Sequence, residues 1–289
     1  STVDPNRIVV YTMNRHQDQL CLYAVNPRTT VAQLLIKESV PKYVQESAVE
    51  AIKFVGNNII LPSDRSGFMN LYIYNMNGHL QRTIGGKFDI TEVYGYDAKT
   101  GDVYYQAAAL APTDRQVYVN HKNGKTERLT DAEGWNSALF SGDYQYFINT
   151  WSDYNTPYVY TTRTRAGKVI STLQDNSQLR QTIKEYGFCK REAFSFTTSE
   201  GVTLNGWMLR PLDFDASKRY PVIMHQYSGP GSQQVKNAWN AGSMGQGGAY
   251  DSYLAQQGFI VVSVDGRGTG GRGAKFEKCT YLNIGDLES

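Results

Sequence analysis

The stretches YPVIMHQYSGPG (residues 220–231) and GFIVVSVDGRGTGGRG (residues 258–273) decide the fold of the second half of this chain. Each begins as an apolar run and ends in a glycine-rich loop. A short, continuously apolar run bounded by turn residues reads as a strand buried on both faces, the pattern of parallel sheets. Between them, AYDSYLAQQ (249–257) predicts a short helix that delivers the chain from one strand to the next. Upstream, REAFSFTTSEGVTLNGWMLRPLDF (191–214) alternates on both sides of Ser199-Glu200-Gly201 and predicts a β-hairpin whose second strand Pro211 ends. Before it, the cluster Asp175-Asn176-Ser177 is a helix N-cap signal. Leu179, Ile183 and Tyr186 follow at helical spacing until Gly187 stops the helix.

The first half carries a repeat. GNNIILPSDRSGFMNLYIYNMNGHLQRTI (56–84) aligns with TGDVYYQAAALAPTDRQVYVNHKNGKTERLT (100–130) and with SGDYQYFINTWSDYNTPYVYTTRTRAGKVISTL (141–173). The corresponding third-strand residues Tyr74, Val119 and Tyr160 lie 45 and then 41 apart, the period of a four-stranded propeller blade. An incomplete earlier copy, RIVVYTMNRHQDQLCLYAVNP (7–27), precedes them. Asn77-Gly78 and Asn123-Gly124 are dipeptides of two-residue hairpins and are expected to join third and fourth strands. Three and a half blades do not close a ring, because propellers have typically four to eight, so further blades are expected before Ser1. An open β-sandwich with regular strand spacing is the rival reading.

The fold class is therefore mixed: a partial β-propeller over residues 1–174, then a linker helix and the N-terminal part of an α/β-hydrolase domain over 175–289. At 289 residues the chain has room for two cores. With 40% hydrophobic residues, 19% charged residues and a net charge of +2, it lacks the positive excess that binds nucleic acid by field alone. The 21 tyrosines lean it toward strand. Cys21, Cys189 and Cys279 show no CxxC pair and no histidine at metal-ligand spacing, and they read as small buried hydrophobes; no metal and no cofactor is expected. The apolar runs fall far short of the roughly 18 residues that span a membrane as a helix. STVDPNRIVVY (1–11) has neither the basic nor the apolar region of a signal peptide.

RPLDFDASKRYPVIMHQYSGPGSQ (210–233), YLAQQGFIVVSVDGRGTGGRG (253–273) and LQDNSQLRQTI (173–183) resemble the prolyl oligopeptidase family, in its dipeptidyl peptidase IV branch. The likeness aligns residue by residue from about Asp175 onward. It implies a propeller capping an α/β-hydrolase domain, a serine peptidase that removes dipeptides after proline or alanine, peptide substrates, a homodimer, and an exported, periplasmic or cell-surface location. It carries one catalytic role onto this sequence: the oxyanion-hole tyrosine, in the motif QYSGP, is Tyr227. A phenol aimed at the developing oxyanion supplies a few kcal/mol in the transition state. The family's amine-recognising pair of adjacent glutamates has no counterpart here, since the chain contains no Glu-Glu. Gln45 and Glu46, in the loop Tyr43–Ser47, are candidates for contact with the substrate's second position.

A nucleophile elbow needs glycine two residues before and two after its serine, and no serine here meets that requirement. Ser243, in AGSMGQG, fails because Ala241 stands two before it. Serine, acid and histidine are accordingly expected beyond Ser289, and the chain alone is expected to be inactive. Asp265, Gly266, Arg267 and Gly268 lack the lysine and hydroxyl residue of a phosphate loop and read as a structural turn, with Arg267 ordering neighbouring loops. His225 reads as a strand residue. The last strand, FIVVSV, is expected to lack a neighbour on one side and to invite self-association. Two alternatives stay open: a non-catalytic propeller that binds peptides or proteins, which absence of a GxSxG beyond Ser289 would favour, and another peptidase of the same family.

Overall fold

The structure is a computed structural model and describes residues 6–245 and 248–288. Contacts divide the chain into two compact units. Unit 1 comprises Ser1–Ala107, Val119–Glu127 and Gly273–Lys275; unit 2 comprises Ala108–Tyr118, Arg128–Arg272 and Phe276–Ser289.

The repeat forms antiparallel meanders. β1 (Ile8–Met13), β2 (Gln19–Val25) and β3 (Ala32–Ser39) make a three-stranded sheet; the helix α1 (Glu46–Glu50) follows. β4 (Lys53–Val55), β5 (Asn58–Ser63), β6 (Asn70–Asn75) and β7 (Leu80–Ile84) make the next sheet, with four strands in chain order. The third sheet contains β8 (Ile90–Asp97), β9 (Asp102–Ala107), β10 (Gln116–Asn120) and β11 (Thr126–Arg128), and the division between units runs through it. β12 (Trp135–Phe140), β13 (Tyr146–Ser152), β14 (Val159–Thr164) and β15 (Val169–Gln174) complete the series. Tyr74, Val119 and Tyr160 each fall on a third strand, as the period requires.

The turns between third and fourth strands differ from the two-residue hairpins expected. Asn75 N donates to His79 O and Gly78 N to Asn75 O; His121, Gly124 and Lys125 repeat the pattern, and so do Thr164, Gly167 and Lys168. These are three-residue loops in which a type I turn is followed by one left-handed residue, so only the glycine needs positive φ. That angle is +81° at Gly78, +88° at Gly124 and +84° at Gly167. Two of these glycines also mark close approaches. A Cβ on Gly78 would stand 2.0 Å from the Leu35 carbonyl oxygen, and one on Gly167 would stand 2.3 Å from that of Leu129. At Gly124 the space is open, and Arg82 instead donates to the carbonyls of His121 and Gly101, both at 2.9 Å.

After β15, α2 (Ser177–Glu185) runs from Asn176 and buries no residue. β16 (Arg191–Thr197) and β17 (Thr203–Leu209) form the hairpin expected around Ser199-Glu200-Gly201. β18 (Val222–His225), α3 (Ala249–Gln256) and β19 (Ile260–Asp265) follow, then the single turn α4 (Ala274–Glu277). The sheet order is β16-β17-β19-β18, with β18 and β19 parallel and β17 antiparallel to β19. This corrects two expectations. β19 is paired on both sides, so the strand at the end of the order is β18. β18 is not buried on both faces either: Val222 and Met224 are exposed, because α3 and its loops cover only the opposite face. There Trp207, Leu209 and Val261 pack with Cys189, Val235 and Ala255. Cys21 and Cys189 are buried and Cys279 is only half-buried; all three are free thiols.

Candidate functional site

The carboxyl ends of the parallel pair β18 and β19 project two loops, residues 226–238 and 266–272, all within unit 2. This is where open α/β sheets gather their chemistry. The loops interlock through their backbones. Gly231 N donates to Gly268 O at 3.1 Å, and Gly270 N donates to Ser232 O at 2.9 Å. Ser228 Oγ accepts from Gln226 Nε2 at 2.7 Å and from Gly266 N at 3.3 Å. Asp265, the last residue of β19, accepts from Gln234 N at 2.8 Å on one carboxylate oxygen and from Val235 N at 3.1 Å on the other. Burial raises the Asp265 carboxyl above the usual range, and these two amides with Lys236 and Arg272 oppose that shift.

Tyr227 lies two residues past β18 and is 61% exposed. Its ring lies across Gly229, where a Cβ would meet the phenol oxygen at 2.8 Å. No positive φ is recorded at Gly229, so its requirement is spatial rather than conformational. Ser232 Oγ fixes the backbone beneath the ring, lying 3.2 Å from Tyr227 O and 2.6 Å from Gly229 O.

Blade residues hold the far side of the same loop. Arg115 Nη2 donates to Gln233 Oε1 at 2.7 Å, and Gln233 Nε2 donates to Pro112 O at 2.8 Å. Asn237 donates from its backbone to Thr113 O at 2.9 Å and from its side chain to Asp114 at 3.2 Å; its own Oδ1 accepts from Tyr154 N at 3.1 Å. Trp135 carries a cation on its ring from each residue set, Arg115 at 4.4 Å and Lys236 at 5.2 Å. Burial and the Arg115 charge push the Lys236 ammonium down.

Of the other residues singled out in the sequence, Ser243, Arg267 and His225 occupy structural positions. Ser243 Oγ accepts from Arg191 at 2.6 Å and donates to Asn240 O at 3.0 Å, so its hydroxyl is committed. Arg267 splits its donors between Leu287 O at 2.8 Å and Glu200 at 2.5 Å, ordering two segments as expected but without a bidentate pair. His225 ends β18 opposite Ser263. Gln45 and Glu46 belong to unit 1, where Gln45 stands at the N-cap position of α1 and Glu46 is exposed in its first turn; Gln45 also borders a small cavity of about 10 Å³. In unit 2 a groove of about 780 Å³ is lined by Asp114, Asp131, Glu133, Tyr154 and Phe194, and Tyr227 is not part of its lining.

Residues 2–158, more than half of the chain, match the family model described as "Dipeptidyl peptidase IV (DPP IV) N-terminal region". The chain belongs to the dipeptidyl peptidase IV family. Residues 249–288 also match the model of the prolyl oligopeptidase family. Porphyromonas gingivalis dipeptidyl peptidase 4 superposes with a TM-score of 0.90 at 38% identity, over 98% of this chain and 39% of that one. A probable dipeptidyl peptidase 4 of Aspergillus flavus is 28% identical over 98% of this chain and 38% of its own length. Dipeptidyl peptidase 4 of Arthroderma otae is 31% identical over 78% of this chain and 29% of its own. The chain thus spans 29% to 39% of the length of these dipeptidyl peptidase IV relatives. Its partial propeller and its opening hydrolase strands, α2 between them, follow that family's architecture.

Sequence reading reached Tyr227 through its motif and missed what holds it. Asp265 was visible only as the first residue of a turn. Arg115, Gln233 and Asn237 gave no signal, because the bonds that join them to one another's segments cross more than 100 residues.

Proposed function

We propose that this chain is part of a serine exopeptidase that releases N-terminal dipeptides after proline or alanine through an acyl-enzyme, with Tyr227 donating to the oxyanion. The observation that carries the reading is a phenol seated at the carboxyl end of a parallel strand, exposed, on a loop whose far end is held by Asp265 and Arg115. Serine-type hydrolysis passes through a tetrahedral oxyanion, and a preorganised donor there acts without reorganising during the reaction. The names of the similar proteins support the same reaction class. Peptide substrates, a homodimer and an exported, periplasmic or cell-surface location belong to the same proposal and rest on the resemblance. Gln45 and Glu46 as contacts to the substrate's second position rest on it too.

The test is a protein of the relatives' full length carrying this segment, assayed on a Gly-Pro chromogenic dipeptide. Tyr227→Phe should lower kcat by about 10²- to 10³-fold with little change in KM, the usual loss on removing one oxyanion donor. Unchanged turnover in that variant removes Tyr227 from the reaction. Absence of dipeptide release from an intact full-length protein refutes the activity itself.

A further inference from the structure

Two clamps from different parts of unit 2 hold the far end of the loop that carries Tyr227. Asp265 grips Gln234 and Val235 from the end of β19, and Arg115 grips Gln233 from the segment before β10. Both grips act on side chains or amides within three consecutive residues, Gln233 to Val235. From there the chain runs back through Ser232, whose hydroxyl bridges Tyr227 O and Gly229 O, to the glycine on which the ring rests. Asp265 is 5% exposed and Arg115 is 3% exposed, so neither side chain is placed to meet a substrate. Each anchors geometry that solvent would otherwise relax. A carboxylate accepting two backbone amides, and a guanidinium forked between carbonyls and an amide oxygen, are strong and directional.

We propose that Asp265 and Arg115 are positioning residues for the Tyr227 phenol, acting through the segment Gly229–Val235, and that Gly229 is the seat that admits the ring. The assignment rests on Tyr227 being the oxyanion donor for its meaning in catalysis, but the positioning itself is a property of this chain. It places part of the control of the candidate active site in a blade residue, because Arg115 precedes β10.

The experiment uses this chain with 3-fluorotyrosine at position 227 alone, read by ¹⁹F NMR, with far-UV circular dichroism and tryptophan fluorescence as folding controls. The parent should show one narrow resonance. Gly229→Ala should move it, because the new methyl occupies the ring's place. Asp265→Asn keeps one acceptor and turns a donor toward an amide, and it should shift or split the line. Gln233→Ala removes the Arg115 link while leaving the guanidinium its bonds to the Pro112 and Asp114 carbonyls, and it should do the same in a chain that stays folded. Arg115→Lys should recover less of the parent line than its retained charge would suggest, since it loses the fork. A fluorine line unchanged in folded Gln233→Ala and Asp265→Asn overturns the proposal; if Asp265→Asn fails to fold, Gln233→Ala alone decides.

In the full-length protein, Gln233→Ala should cut kcat by up to about 10²-fold at nearly constant KM. In a Tyr227→Phe background it should cut nothing further. A shifted fluorine line with no kcat effect in either variant would sink the catalytic reading of Tyr227 and leave the positioning intact. An unshifted line with a kcat loss would do the reverse.

Discussion

The apolar cluster of unit 1 and the amide ladder of unit 2 fill their interiors with different chemistry. In unit 1, Leu20, Leu22, Leu35, Ile36, Ile59 and Leu61 form an apolar cluster closed by Tyr72 and Tyr74. In unit 2, between the third and fourth blade sheets, the fully buried side chains include amides. Asn149 Nδ2 donates to Asn136 Oδ1 at 3.1 Å, Asn136 Nδ2 donates to Gln116 Oε1 at 3.2 Å, and Thr130 Oγ1 donates to the same oxygen at 2.6 Å. Nearby, Arg191 stacks on Trp207 at 4.1 Å and faces the wholly buried Asp251 at 3.5 Å. The apolar cluster of unit 1 is held by volume and area, which tolerate exchange of one hydrophobe for another of equal size. The polar one is held by partners, and losing one leaves another stranded in a dry place.

Charge deletion is the severest way to separate the two. Burial pushes the Arg191 guanidinium down to about 10, while Asp251 and Tyr154 pull it back up. Arg191→Met leaves Asp251 at 0% exposure without its guanidinium partner, still accepting from Met244 N at 3.1 Å. The expected loss is about 3–5 kcal/mol. The volume-conserving Leu61→Met in unit 1 should cost less than about 1.5 kcal/mol. All 4 tryptophans, Trp135, Trp151, Trp207 and Trp239, lie in unit 2, so urea unfolding followed by fluorescence reports that unit, and circular dichroism reports both. Equal losses from the two substitutions would erase the distinction.

Turn glycines give the next largest effect and cut across the units. Gly78→Ala in unit 1 and Gly167→Ala in unit 2 combine positive φ with a carbonyl oxygen 2.0 and 2.3 Å from the new methyl. Left-handed strain of about 1–2 kcal/mol and overpacking of about 1–3 kcal/mol should both appear. Gly124→Ala meets open space and should show the strain alone. If Gly124→Ala proves as damaging as the others, the close approach between neighbouring sheets is not what selects glycine.

What the sequence disclosed follows the same line. The blade period, the hairpin around Gly201, α2 and α3 were legible because local patterns encode them: alternating strands, turn glycines at fixed offsets, apolar residues at helical spacing. Tyr227 was singled out because the motif QYSGP surrounds it. Alternation could not say that β18 would leave Val222 and Met224 uncovered, since an apolar strand looks alike whether one face or two are packed. Nor could it reveal the amide ladder: Gln116, Asn136 and Asn149 are polar residues in strands, and their burial and mutual pairing depend on how strands distant in sequence come together. Asp265 and Arg115 were illegible for the same reason, as their bonds cross 30 residues and more than 100 residues respectively.

The ladder itself offers a milder test. Asn136→Leu preserves most of the volume but removes the acceptor for Asn149 Nδ2 and one donor to Gln116. Gln116 keeps Thr130, so one stranded group is expected, at about 1–3 kcal/mol. Adding Asn149→Leu should recover part of that loss, because apolar groups on both sides strand nothing. A double variant worse than the sum of the singles would mean the amides serve packing rather than pairing.

Tyr154 gives the smallest effect and one that only pH reveals. Its phenol is held well above its ordinary value of 10.0, first by burial and then by the charges of Asp114 and Asp265, with Arg191 and Thr113 opposing. A group whose folded pKa is raised contributes stability that is complete below the unfolded pKa and is lost as pH climbs above it, because the unfolded phenol ionises while the folded one cannot. Unit 2 should therefore keep this contribution at pH 9 and lose about 1.4 kcal/mol of it by pH 11, one unit above the unfolded value. Tyr154→Phe removes the titrating group and should flatten that part of the alkaline limb, so the gap between variant and parent narrows between pH 9 and pH 11. Parallel curves for the two proteins over that interval would show that the phenol ionises as readily in the folded chain as outside it, and that the polar interior of unit 2 is wetter than its burial implies.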